Sequence, residues 1–178
     1  RVWHVAVTGD GTTAVSASLD NMLKVWDIRT GACRHTLTGH SDWVNHVAVT
    51  GDGTTAVSAS NDNTLKVWDI RTGACRHTLT GHTGEVRHVA VTGDGTTAVS
   101  ASWDNTLKVW DIRTGACLHT LTGHRNKVNH VAVTGDGTTA VSASWDNTLK
   151  VWDIRTGAML MSVDDTLEGR RAIADAYP

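Results

Sequence analysis

The sequence predicts an all-β chain made of four copies of one four-stranded antiparallel unit. Two spacings and one local pattern carry that expectation. Trp26-Asp27, Trp68-Asp69, Trp110-Asp111 and Trp152-Asp153 recur with a step of 42 residues. Gly-Asp-Gly recurs with the same step at Gly9, Gly51, Gly93 and Gly135. Between these markers lie short runs rich in β-branched residues, bounded by Gly, Asp and Asn. A repeat of this length marks a propeller, a solenoid or an array.

One copy justifies the elements in order. Residues 44–49 form a short apolar run with three valines, which reads as a strand. Asp52-Gly53 follows as a tight hairpin turn, since Gly accepts positive φ. Residues 54–60 are the second strand, Asp62-Asn63 turns the chain again, and residues 65–70 are the third strand. Thr72-Gly73 makes the third turn and residues 75–79 the fourth strand. Turns then fall every ~8–12 residues, as in a meander. Alternate turns of a meander share an end. The Asp52-Gly53 and Thr72-Gly73 turns therefore belong to one end of the unit, and Asp62-Asn63 and Gly81-His82 to the other.

The units open at Gly39-His40, Gly81-His82 and Gly123-His124 and close at Trp-Asp. This resembles the WD-repeat family of β-propellers over residues 1 to about 163. The resemblance implies a propeller of four-stranded antiparallel blades at about 1–38, 39–80, 81–122 and 123–163, with residues 164–178 as a C-terminal tail. A blade explains why both faces of these strands carry Val, Ala, Ser and Thr, because each face packs on a neighbour. The tail has no repeat character, and we expect it to dock as a short helix around 167–176.

Composition narrows the function classes. A net charge of −2 gives no general attraction to nucleic acid or an anionic membrane, so neither is expected as a partner. No apolar run is long enough to span a bilayer, and the start does not read as a secretory leader. Cys33, Cys75 and Cys117 share one repeat position, so they fall on separate blades. Cysteines whose Cα atoms are more than ~7 Å apart cannot pair without backbone movement. We expect free, buried, inert thiols and a cytoplasmic location.

Each full copy holds a His, a Ser and an Asp, the residue types of a hydrolase triad. The set recurs copy after copy, whereas an enzyme rarely needs several nucleophiles, so we expect no catalysis. The family resemblance implies a structural hydrogen-bond network instead. In this sequence it would join His40, Asp62, Ser58 and Trp68; His82, Asp104, Ser100 and Trp110; and His124, Asp146, Ser142 and Trp152. Ser60 is an alternative to Ser58, having the same parity. The first copy has Asp20, Ser16 and Trp26 but no His. A buried indole N–H and imidazole need partners, which is the physical reason for such a set. His4, His46, His88 and His130 occupy equivalent first-strand positions and invite a metal hypothesis. No carboxylate or thiolate stands beside them at ligand spacing, so we expect hydrogen-bonded rings between blades and no metal. There is no phosphate-binding loop, dinucleotide fingerprint, paired-Cys zinc pattern or nucleophile elbow, and no cofactor is expected.

The copies differ mainly at one end. The Thr-Gly-Asp-Gly-Thr-Thr turn and the segment Ile-Arg-Thr-Gly-Ala are the same in all four. At the other end the residue before the turn Asp is Leu19, Asn61, Trp103 or Trp145. The residue opening the first strand is Arg1, Trp43, Glu85 or Lys127, and two places on come Trp3, Asn45, Arg87 and Asn129. Trp and Arg are enriched at binding hot spots. Neutral drift should also have touched the opposite turns. We therefore expect Trp3, Leu19, Trp43, Asn45, Asn61, Glu85, Arg87, Trp103, Lys127, Asn129 and Trp145 to form a ligand-binding face for a protein or peptide. The other reading is a glycan-binding propeller in which Trp103 and Trp145 are stacking platforms. A ring of only four blades is the bottom of the ~4–8 range. It would open wide outer wedges that this chain, with no Phe, cannot fill. We expect two copies to meet head to tail as a homodimer closing an eight-bladed ring, with residues 2–7 of one copy near the fourth blade of the other.

Overall fold

The computed structural model describes residues 1–164 as sixteen strands, with no helix among the described residues. The expected helix at 167–176 lies outside them. Strands β1 (Val2–Val7), β2 (Thr13–Ser18), β3 (Leu23–Asp27) and β4 (Cys33–Leu37) form the first antiparallel sheet. The second holds β5 (Val44–Val49), β6 (Thr55–Ser60), β7 (Leu65–Asp69) and β8 (Cys75–Leu79). The third holds β9 (Val86–Val91), β10 (Thr97–Ser102), β11 (Leu107–Asp111) and β12 (Cys117–Leu121). The fourth holds β13 (Val128–Val133), β14 (Thr139–Ser144), β15 (Thr148–Asp153) and β16 (Met159–Asp164). Each sheet is an up-and-down meander, hydrogen-bonded in chain order.

Local chemistry sets the turns. Asp52 accepts hydrogen bonds from the Thr50 hydroxyl at 2.6 Å and from the Thr54 backbone N–H at 3.0 Å, which holds the hairpin closed. Gly53 follows at φ +70°, a conformation that costs a side chain energy. The opposite turn places Asn63 at φ 66°, where Asn is among the few residues tolerated. A β-bulge interrupts the first strand of every sheet. Val44 opposes Ser60 and His46 opposes Ala59, leaving Asn45 as the extra residue. Trp3, Arg87 and Asn129 are the bulge residues of the other sheets. The bulge turns both Val44 and Val47, three residues apart, toward the preceding sheet.

The core sits between sheets. Val15, Ala17, Leu23, Val25 and Leu37 of the first sheet bury against Val44, Val47, Ala56, Trp68 and Ile70 of the second. The same residue types repeat this junction between the second and third sheets and between the third and fourth. Fully burying a Val or Leu stabilises by about 1.5–3 kcal/mol each, so the three junctions are the main source of stability. At the two end sheets some of the equivalent apolar residues are exposed. On the first sheet Val2, Val5 and Ile28 are 63%, 54% and 46% exposed, whereas Val44 and Val47 are fully buried. On the fourth, Leu149 is 37% exposed while its equivalents Leu65 and Leu107 are buried, but Val151 and Val163 of the same sheet stay buried.

The cysteines correct one expectation. Cys33, Cys75 and Cys117 are free but exposed, each with its Sγ donating weakly to the carbonyl of the His two residues on. They start β4, β8 and β12, the outermost strands of the first three sheets, where only one neighbouring strand is present to cover them.

Candidate functional site: the varied rim

The turns before β7, β11 and β15 are pinned from below by a repeated polar set. His40 Nδ1 lies 2.7 Å from Asp62 Oδ2, and its Nε2 lies 2.7 Å from Ser58 Oγ. Trp68 Nε1 donates to the same Ser58 Oγ at 2.8 Å. His82, Asp104, Ser100 and Trp110, and His124, Asp146, Ser142 and Trp152, repeat this at 2.7–2.9 Å. Indole can only donate, so the Ser oxygen accepts from it and the Ser hydrogen goes to Nε2. In that arrangement the ring donates its Nδ1–H to the carboxylate. Burial pushes Asp62 up, but hydrogen bonds from His40, Thr64 and the Ser41 N–H outweigh it and hold the carboxyl well below its usual range. Ser60 is not the shared hydroxyl; it donates to the Asp42 carbonyl and accepts from the Asp62 N–H. Such a hydroxyl, occupied on both sides and buried, has no free face for a substrate.

On that base the rim residues of neighbouring sheets interlock. Asn45 Nδ2 donates to Asn61 Oδ1 at 2.6 Å and to the Val86 carbonyl at 2.9 Å. Arg87 Nη1 reaches Asn45 Oδ1 and Asn61 Oδ1, both at 3.1 Å, and Glu85 Oε2 at 3.3 Å. Its guanidinium lies 4.6 Å from the Trp103 ring centroid. Trp103 donates to Asn129 Oδ1 and packs against Trp145 at 5.5 Å between centroids. Lys127 Nζ stands 3.7 Å from the Trp103 centroid and 5.1 Å from that of Trp145. Contacts of this kind contribute about 0.5–2 kcal/mol each. Trp3, Leu19 and Trp43 take no part in the cluster, and Trp3, Trp43 and Trp145 remain about half exposed. A sugar ring stacked on Trp103 would have to displace Lys127 or Arg87, which weighs against per-blade sugar pockets.

The first-strand histidines depart from expectation. His4, His46, His88 and His130 stack in a column with 3.7 Å between successive centroids. Nδ1 of His4, His46 and His88 is buried with no hydrogen-bond partner. Burial, together with repulsion from the neighbouring imidazoles, lowers His46 to about 2 and His88 to about 3. His46 and His88 are therefore neutral near pH 7. No group of His, Cys, Asp or Glu suited to a metal ion exists among the described residues. A second histidine series lies outside the sequence expectations. His35, His77 and His119 reach across to the backbone carbonyls of Arg71, Arg113 and Arg155 at 2.9 Å. The ring of His35 rests on Gly73, where a Cβ would approach it to 3.1 Å.

The family model described as "WD domain, G-beta repeat" matches residues 1–27, 31–69, 73–111 and 115–153. The chain belongs to the WD-repeat family. Each matched repeat ends on Trp-Asp, so the repeat 31–69 supplies the outer strand of the first blade and three strands of the second. β16 falls outside the matched repeats. Among curated proteins, the chain is 45% identical over 42 residues to autophagy-related protein 16 of Arabidopsis thaliana, covering 24% of this chain and 8% of that protein. It is 56% identical over 34 residues to nuclear distribution protein PAC1 of Arthroderma otae, covering 19% and 7%. A PAC1 of Fusarium vanettenii is 47% identical over 34 residues, covering 19% and 8%. The matched segments span less than a tenth of each relative.

Proposed function

We propose that the chain is a non-catalytic scaffold or sensor module that presents its varied rim to a protein or peptide. The carrying observation is the contrast between the two ends. The invariant end is a set of self-satisfied Asp-Thr turns, whereas the varied end holds half-exposed indoles beside cations. WD-repeat membership supports the same reading. The chemistry of the rim favours a ligand with carboxylates and apolar groups. Lys127 and Arg125 make no ion pair among the described residues, and Lys127 stands beside the half-exposed Trp145. A display library of acidic and neutral peptides, screened on wild type and on a Trp43→Ala/Lys127→Ala/Trp145→Ala variant, tests it. Binding is expected to select acidic, apolar peptides and to vanish in the variant. Loss of capture on changing Asp52 or Arg71 instead would overturn the assignment.

The exposed apolar residues of the first sheet, with Leu149 on the fourth, support closure by a second copy. The fourth blade offers Val141, Ala143 and Leu149, its Val151 and Val163 being already buried, and the first offers Val2, Val5, Ala14, Trp26 and Ile28. These match the two sides of the junctions already made three times within the chain. A homodimer of twice the 19.0 kDa chain mass follows, closing eight blades with two-fold symmetry. Light scattering is expected to give that mass. A well-folded monomer at micromolar concentration would exclude it. Exposed free thiols fit a reducing, cytoplasmic setting.

A further inference from the structure

The outer strands differ between blades at one position, occupied by Arg34, Arg76, Leu118 and Leu160 in turn. In the second blade Arg76 Nη2 donates to Asp69 Oδ2 at 2.6 Å, and its Nη1 donates to Thr55 Oγ1 at 3.3 Å. In the first, Arg34 makes the same two contacts with Asp27 and Thr13. Sheet register, not the arginine, sets these acceptors. Thr55 pairs across the strands with Asp69, Thr97 with Asp111 and Thr139 with Asp153. Directly paired residues project from the same face, side by side. The third and fourth blades thus keep the carboxylate and the hydroxyl but have no guanidinium to join them.

Asp111 and Asp153 still accept a backbone N–H, from Thr114 at 2.7 Å and from Thr156 at 2.8 Å, as Asp69 does from Thr72. Neither makes an ion pair among the described residues, although Arg113 and Arg155 stand two positions on. Leu118 and Leu160 cannot donate to them and are 48% and 54% exposed. A groove of about 420 Å³ runs between the third and fourth blades. Thr97 and Leu118 line one side of it, and Asp153, Ile154 and Arg155 the other. The equivalent groove between the first and second blades is lined by Arg34 and Arg76. The later groove therefore sets exposed aliphatic surface beside carboxylates that have no paired cation.

We propose that Asp111 with Thr97, and Asp153 with Thr139, are two equivalent receptors for arginine side chains of a partner polypeptide whose aliphatic neighbours rest on Leu118 and Leu160. The guanidinium forks as Arg76 does within the chain, with one Nη–H on the carboxylate and the other on the hydroxyl. A planar fork of donors suits two acceptors held at fixed spacing, which a lysine ammonium matches less well. The aliphatic contact is part of the site because an exposed ion pair alone contributes little. The same carboxylates repel phosphate, which disfavours nucleic acid and anionic lipid as occupants. The receptors lie at the invariant end of the blades and do not depend on the rim.

The probe is the peptide acetyl-Leu-Arg-Leu-amide, followed on the full chain by calorimetry and, through its own Arg Nε–H signal, by NMR at low salt. Two equivalent sites per chain are expected. Binding should weaken about fivefold or more when citrulline, a neutral isostere, replaces the peptide's arginine. Leu118→Arg should close one site, and Leu118→Arg with Leu160→Arg should close both. The first two blades already accommodate Arg at this position, so these variants report occupancy rather than folding. Arg76→Leu should open a third site, and Asp10→Asn should change nothing. Arg170 and Arg171 of the chain itself are the internal alternative, and Arg170→Gln with Arg171→Gln should leave the affinity unaltered. Equal binding of the citrulline peptide, unchanged stoichiometry in Leu118→Arg, no binding at millimolar peptide, or tighter binding in the Arg170→Gln/Arg171→Gln variant would overturn the proposal.

Discussion

Trp103 donates its indole N–H to Asn129 Oδ1 across 2.9 Å, tying the turn of the third blade to the bulge of the fourth. A rim residue is thus also a brace between sheets. Asn129→Ala should leave the indole N–H unpaired at a part-buried site and cost about 1–2 kcal/mol. Trp103→Ala should cost a similar amount. Urea denaturation of both variants checks this, and additive losses in the double variant would show that the two residues are not coupled.

The frame is a sharper case. Trp68→Ala removes a fully buried side chain and should destabilise by about 3–5 kcal/mol through the cavity left behind. Urea melts showing equal losses for Trp68→Ala and Trp103→Ala would mean that frame and rim have been misplaced.

The shared hydroxyl gives a comparison within one chain. Ser58→Ala strands both the Trp68 N–H and the His40 Nε2, at about 1–3 kcal/mol for each buried group. Ser16→Ala strands only the Trp26 N–H, which is partly solvated. Thermal unfolding should show a clearly larger loss for Ser58→Ala; equal shifts would argue against the imidazole contribution.

Acid should weaken the fold through the histidine column. His46 and His88 have folded values of about 2 and 3 against an ordinary 6.5. Their neutral forms are favoured by folding, so the stabilisation is complete above 6.5 and is lost as pH falls from there toward 3. The slope is at most about 1.4 kcal/mol per pH unit for each ring. Denaturant midpoints at pH 7.5 and 5.0 measure it, and His46→Leu should flatten the dependence.

Much of the fold was legible because repetition multiplies each signal. One Val-rich run is ambiguous between helix and strand, but four runs at one spacing, each bounded by Gly-Asp-Gly, are not. The polar set around Trp68 could be named from residue types repeated in register. What could not be read depends on how neighbouring blades align. Trp103 meets Asn129 and Arg87 only because adjacent bulges face one another, and nothing local to Trp103 reports that. The bulge itself left a trace, since Val44 and Val47 are both core residues at a spacing that an unbroken strand would place on opposite faces. The cysteines misled because a small apolar residue type says nothing of whether its strand is covered.

The offset between repeat and blade has a bearing on how such a chain can change length. A cut at any point in the 42-residue period, followed by removal of one period, regenerates the same strand order across the splice. Every junction uses the same residues, so each new neighbour is already shaped for the surface it meets. Whole units can therefore be gained or lost by recombination without redesigning any contact, and blade number becomes a freely variable trait while the rim of each unit diverges by itself.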